Sequence, residues 1–163
     1  MTRPPNHLLE DAYRWCTEWW SAVLDGVEPI ARAAAHPYII PDLRKARSTS
    51  ALLMRPIMHV ALFHGLAQAT NAGVALGDAV KALNHIQWSA EVEQWRDVIV
   101  RANGSMITKA NAIELAGRVI GYQLAGHRLP GPVIDRLRMA YAEAKGWDPT
   151  GTAAMPTLPE PVL

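Results

Sequence analysis

Residues 48–70, STSALLMRPIMHVALFHGLAQAT, limit the fold more than any other part of this 163-residue chain. The second half of the stretch is apolar almost all round: Ile57, Met58, Val60, Ala61, Leu62, Phe63, Leu66, Ala67 and Ala69. A helix without a fully polar face belongs in the middle of a bundle, with other helices on several sides. Pro56 suits a first helical turn, whose N–H groups have no partner inside the helix. Gly73 is placed to end the helix. Residues 48–54 are then expected as a short lead-in turn.

The helices around this centre are read from the spacing of apolar residues. Residues 1–5 are expected as an extended lead, and Asn6 as a cap for the first helix. Apolar residues then fall at 8, 9, 12, 13, 16, 19, 20, 23 and 24, one continuous stripe, and Gly26 ends it. Glu10, Asp11, Arg14, Glu18 and Asp25 lie largely on the other side. Residues 29–35 form a short second helix, stopped by His36-Pro37, because a residue before proline avoids helical geometry. Residues 38–41 read as extended. A short helix is expected over 76–86 and another from Ser89 to about Arg101, with Val92, Trp95, Val98 and Ile99 facing inward. Asn103-Gly104 makes a turn. Thr108 caps a second strong helix over 109–125, in which Gly117 and Gly121, one turn apart, let another helix come close. A last helix covers 133–145.

No alternating apolar and polar run is long enough for a sheet. The expected fold is therefore all-α: a single-domain orthogonal bundle of about six helices over 1–146. Residues 147–163 carry four prolines and are read as an irregular tail without a fold of its own, lying on a neighbour. At 163 residues, half of them apolar and 19% charged, the chain has enough material for one real core.

Few of the polar residues assemble into recognisable chemistry. Among the six histidines, His59 and His64 stand five apart, so a helix points them to different faces, unlike the four-residue spacing of helical zinc ligands. The lone cysteine, Cys16, excludes an internal disulfide, leaves no zinc pair and suits a cytosolic setting. It lies on the apolar stripe, where a thiol is usually inert packing. Phosphate-binding glycine loops and a nucleophile elbow are both missing from the sequence. No cofactor, metal or catalytic residue is therefore expected. Without an 18-residue uncharged apolar run or a signal peptide, the chain is expected in the cytoplasm and off the membrane.

Two surfaces stand out as candidates for binding. Arg44, Lys45 and Arg47, with Arg55 close behind, form the densest basic cluster, which can contact phosphates without reading sequence. The alternative is a solvated loop, with Arg55 paired to a carboxylate such as Asp42. Trp15, Trp19 and Trp20 can be read as a platform for bases, or as core anchors and a partner surface. Their place on the stripe with Leu9 and Val23 favours the second reading. The net charge of +1 favours neither.

Several segments taken in order add a resemblance. They are His36-Pro37-Tyr38-Ile39 with Leu43-Arg44, Leu52-Leu53-Met54-Arg55-Pro56, Ile86-Gln87-Trp88 and Trp95-Arg96-Asp97. Gly104-Ser105-Met106-Ile107-Thr108-Lys109 and Leu115-Ala116-Gly117-Arg118-Val119-Ile120 follow. This succession resembles the C-terminal helical half of the DGQHR-domain family, the DndB-like family of DNA sulfur-modification proteins, over residues 8–145. The Asp-Gly-Gln-His-Arg motif itself is not in the sequence; Asp25-Gly26 is followed by Val27-Glu28. The resemblance implies a non-enzymatic helical module of a DNA-modification or phage-defence system. It would act as a homo-oligomer, or beside a protein partner carrying the missing DGQHR half. The alternative is a direct, sequence-independent DNA-binding or regulatory protein.

Overall fold

The structure, a computed structural model, describes residues 5–45 and 47–163. The expected lead therefore lies outside the described residues except for Pro5, as does Ala46 within the basic loop. The described residues form seven α-helices: α1 (Asn6–Gly26), α2 (Glu28–Ala35), α3 (Ile40–Leu43), α4 (Pro56–Asn71), α5 (Leu76–Ala82), α6 (Ala110–Ala125) and α7 (Gly131–Ala144). Among the described residues there are two isolated β-bridges and no strand, so the protein is an all-α bundle.

Helices α4 and α6 form its axis. The expected boundaries of α4 hold, with Pro56 in the first turn and Gly73 at φ +85° just past the end. Leu62, Leu66 and Met58 are buried completely or nearly so, but Val60 remains 49% exposed, so α4 has one open side. Helix α6 lies deeper: ten of its sixteen residues are buried against six of sixteen in α4. The two approach through glycines. A methyl group on Gly117 would stand 2.6 Å from the His64 Cβ and 3.0 Å from the Ala61 carbonyl oxygen. One on Gly65 would stand 2.5 Å from the Ile120 Cγ2. Helix α6 is capped by Lys109 rather than Thr108.

Elsewhere the chain departs from its sequence pattern in instructive ways. Residues 38–41 are not extended but helical, a 3-10 turn over Pro37–Ile39 running into α3. The helix expected from Ser89 to Arg101 does not form; only a 3-10 turn, Glu93–Trp95, is present. Asp97 has φ +62°, a left-handed conformation incompatible with a continuing helix, and Val98-Ile99-Val100 is a β-branched run. The expected inward residues still go in: Trp95, Val98 and Ile99 are buried, and Val92 packs against the core. The segment is tied by Trp95 Nε1–H to the Gln87 carbonyl (2.6 Å), Trp88 Nε1–H to the Leu83 carbonyl (2.8 Å) and Ile107 N–H to the Ile99 carbonyl (2.8 Å). Trp88 and Trp95 stack with centroids 5.6 Å apart.

The proline-rich tail lacks regular structure, as its composition implies, yet it lies on its own chain. Val162 N–H donates to the Gln123 carbonyl (2.7 Å), and Leu158 and Val162 pack against the core.

Two substitutions of the same kind should separate close packing from helix propensity. Gly117→Ala forces a methyl into His64 and the Ala61 backbone, and is expected to cost about 1–3 kcal/mol. Gly77→Ala, in α5 with open space around it, is expected to gain about 0.4–1 kcal/mol. Denaturant unfolding of both variants checks the pair. Leu62→Ala and Ile120→Ala, each in the core, are expected to lose about 2–5 kcal/mol by the same measurement.

Tyr141 supplies a pH test. Burial, helped by the nearby Glu93 carboxylate, pushes its phenol from 10.0 up to about 12. The folded state thus keeps a proton that the unfolded chain releases first. Stability from this group is complete below pH 10 and falls as pH rises towards about 12. Tyr141→Phe should flatten the fall in thermal midpoint over that interval.

Candidate functional site

The apolar stripe of α1 is longer than the bundle that covers it. The helix has 21 residues, about 31 Å at 1.5 Å per residue. Its second half is anchored by Trp19, Val23 and, just past its end, Val27, all buried. Gly26 permits this contact: a methyl there would lie 2.5 Å from the Val80 Cγ1 on α5. Residues 7–18 are exposed throughout. Leu8 (52% exposed), Leu9 (39%) and Tyr13 (75%), expected to face the core, stand in solvent instead. Cys16 is also exposed rather than packed.

The three tryptophans divide at the edge of the bundle. Trp19 is 7% exposed and belongs to the core, which corrects its assignment to a partner surface. Trp15 (47% exposed) leans on it with ring centroids 4.4 Å apart. Trp20 (40% exposed) sets its ring edge-on against Phe63 at 4.7 Å and His59 at 5.8 Å. His59 is itself fixed by a 2.6 Å hydrogen bond from Nε2 to the Leu53 carbonyl. An aromatic shelf on α4 therefore meets the root of the projecting helix.

The basic cluster is engaged within the chain. Lys45 pairs with Asp42 at 2.6 Å and Arg47 stands 3.9 Å from Glu91. The Arg44 Nε–H donates to the Met54 carbonyl at 3.1 Å, and Arg55 donates to the Arg44 carbonyl at 3.3 Å. Arg55 thus ties loop backbone rather than pairing with Asp42. The two arginines keep their charge, while two of the four cations face carboxylates.

Two of the open clefts among the described residues carry several polar side chains. One, of about 400 Å³, is lined by Glu28, Arg32, Ser50, Asn84, His85 and Trp88. Its Asn84 is occupied, accepting from Glu28 N–H and donating to the Gly26 carbonyl. The other, of about 700 Å³ between α4 and α6, presents His64, Gln68, Asn71, Glu114, Arg118 and Arg128. Arg128 donates to the Gly73 carbonyl at 2.5 Å. Among the described residues no three of His, Cys, Asp and Glu meet in a metal-holding group, and no helix is long and apolar enough to cross a membrane.

Comparison with protein-family models, with curated proteins and with solved structures finds no match.

The cations of the basic cluster should differ in their effect on stability. Lys45→Ala and Arg47→Ala remove exposed ion pairs and are expected to change stability by at most about 0.5 kcal/mol. Arg44→Ala frees the carbonyl end of the buried Leu52–Met54 turn and is expected to cost about 1 kcal/mol. Urea unfolding measures the difference.

Proposed function

We propose that this chain is a non-enzymatic helical interaction module that works by docking the projecting half of α1 onto another protein surface. The supporting observation is the uncovered stripe, where Leu8, Leu9, Tyr13 and Trp15 stand exposed on a helix whose other half is bundle core. Apolar surface of this kind is costly to leave in water and usually marks an interface. Its aromatic content matches the residue types that dominate binding energy. The resemblance to the DndB-like family supplies the context of the proposal: a cytoplasmic DNA-modification or phage-defence system. There the partner would be a protein carrying the DGQHR half, or a second copy. Among the described residues Lys45 and Arg47 face carboxylates and Arg44 and Arg55 are tied to backbone carbonyls, which supports this reading over direct DNA contact.

The test is a comparison between the full chain and Leu8→Glu/Tyr13→Glu, with circular dichroism to show that both are folded. Affinity capture from the native host, read by mass spectrometry, is expected to recover a DGQHR-bearing protein or the chain itself with the parent and to lose it with the variant. An unchanged set of partners overturns the assignment to α1. Low-salt binding of duplex DNA that is abolished by Arg44→Glu with Arg47→Glu would instead favour the DNA-binding alternative.

A further inference from the structure

Five of the exposed residues of α1 form a row, with Leu8 and Trp15 to one side of it. Leu9, Tyr13, Cys16, Trp20 and Leu24 are all exposed and are spaced by four, three, four and four residues. Such spacing keeps a row on one side of a helix, the arrangement of a helix-pairing seam. No charged residue interrupts the row; Glu10, Asp11, Arg14, Glu18 and Asp25 lie to its side or behind it. The order of residues is also symmetric: leucine, aromatic, a small thiol, aromatic, leucine. It reads alike in both directions, with its middle at Cys16.

We propose that α1 pairs antiparallel with α1 of a second copy of this chain, across a two-fold axis beside Cys16. This rests on the interaction-module reading and names its partner. A two-fold contact must be self-complementary, and this row is. Leu9 of each copy meets Leu24 of the other, Tyr13 meets Trp20, and the two small Cys16 side chains share the centre, where the helices come nearest. Two helices 8–10 Å apart, with Cα atoms 2.3 Å off each axis, bring facing Cα atoms to about 3.4–5.4 Å, within reach of a disulfide. The projecting half of each α1 runs beside the partner's Trp20, whose ring is backed by His59 and Phe63 of α4. Tyr13 and Trp20 are 75% and 40% exposed, and a whole aromatic side chain buries 150–250 Å². With the two leucines and Cys16 the row offers on the order of 500 Å² per copy, about 1,000 Å² in all. That is the lower bound of a specific interface and indicates a dimer that dissociates on dilution.

The experiment uses the full chain. Sedimentation over a wide concentration range is expected to show a monomer passing to a dimer. Tyr13→Glu, at the most exposed position of the row, should weaken dimerisation about tenfold or more while the helical spectrum is unchanged. Diamide, which accepts two electrons and two protons from a pair of thiols, should yield a Cys16-linked dimer. Cys16→Ser should abolish that link but not the dimer. Leu9→Cys in the Cys16→Ser background separates the two directions of pairing: antiparallel helices hold these thiols far apart and give no link, whereas parallel helices join them. A linked Leu9→Cys dimer overturns the proposal. So does a monomer at every concentration, or a dimer indifferent to Tyr13→Glu. A monomer that captures a different protein through α1 would leave the interaction-module reading standing and remove only the self-pairing.

Discussion

The approach of α4 to α6 is the constraint on which the rest of the bundle depends. Gly65 admits Ile120, and Gly117 admits the backbone of α4 at Ala61 and the root of His64. The resulting contact is between helix surfaces rather than side-chain tips, so dispersion acts over many atom pairs at short range. It also explains why α4 can be apolar on almost every side without a large moment of its own. One side goes to α6, another to α5 and the buried Leu52–Met54 turn, and the side bearing Phe63 to the tryptophans of α1. Helix α2 then packs against the C-terminal part of α1, and α7 against α6.

Much of this arrangement was legible in the sequence, because it follows from local patterns. Pro56 and Gly73 bracket α4, Gly146 follows α7 at φ +70°, and the Gly117–Gly121 pair announces a close neighbour. Two features were not legible, for different reasons. Between residues 89 and 101 the helical spacing identified which side chains are buried but not the backbone that buries them. A left-handed Asp97 followed by Val98-Ile99-Val100 reaches the same interior through turns and single bridges. In α1 the backbone followed the pattern while the burial did not. A stripe records that a face avoids water, and does not record whether the cover belongs to the same molecule. Of the candidate residues, Trp15 and Trp20 lie at the surface as a partner reading requires. Trp19 and the Arg44–Arg55 pair serve the fold. Trp19 and Trp20 are adjacent in sequence and on one stripe, and Phe63 lies near both; their difference in burial comes from the edge of the bundle falling between them.

The projecting helix and the bundle are thus held to different standards. Within the bundle, polar groups are matched closely: among the described residues only the Gln123 Oε1 is buried without a hydrogen-bond partner. On α1 residues 7–18 are exposed throughout, so this half of the helix draws little support from the bundle. It relies on its own backbone bonds and on pairs such as Arg14 with Asp11, an exposed contact at 3.6 Å that contributes little. An isolated helical stretch of this length is marginal in water, so its order and the covering of its apolar side are coupled.

The irregular segment around the stacked Trp88 and Trp95 has the opposite character. A helix carries its own ladder of hydrogen bonds and frays from its ends. This segment closes short local turns with its own amides, among them Asp97 N–H to the Val100 carbonyl and Ile99 N–H to the Trp95 carbonyl, while its Trp88 and Ile99 carbonyls accept from Leu52 N–H and Ile107 N–H, fixed elsewhere. Its short turns make no continuous ladder, and it cannot open without unseating two buried indoles. The amides beside those indoles therefore belong to the unit that exchanges with solvent only on global opening, and an irregular part of the chain serves as a reporter of cooperativity for the whole.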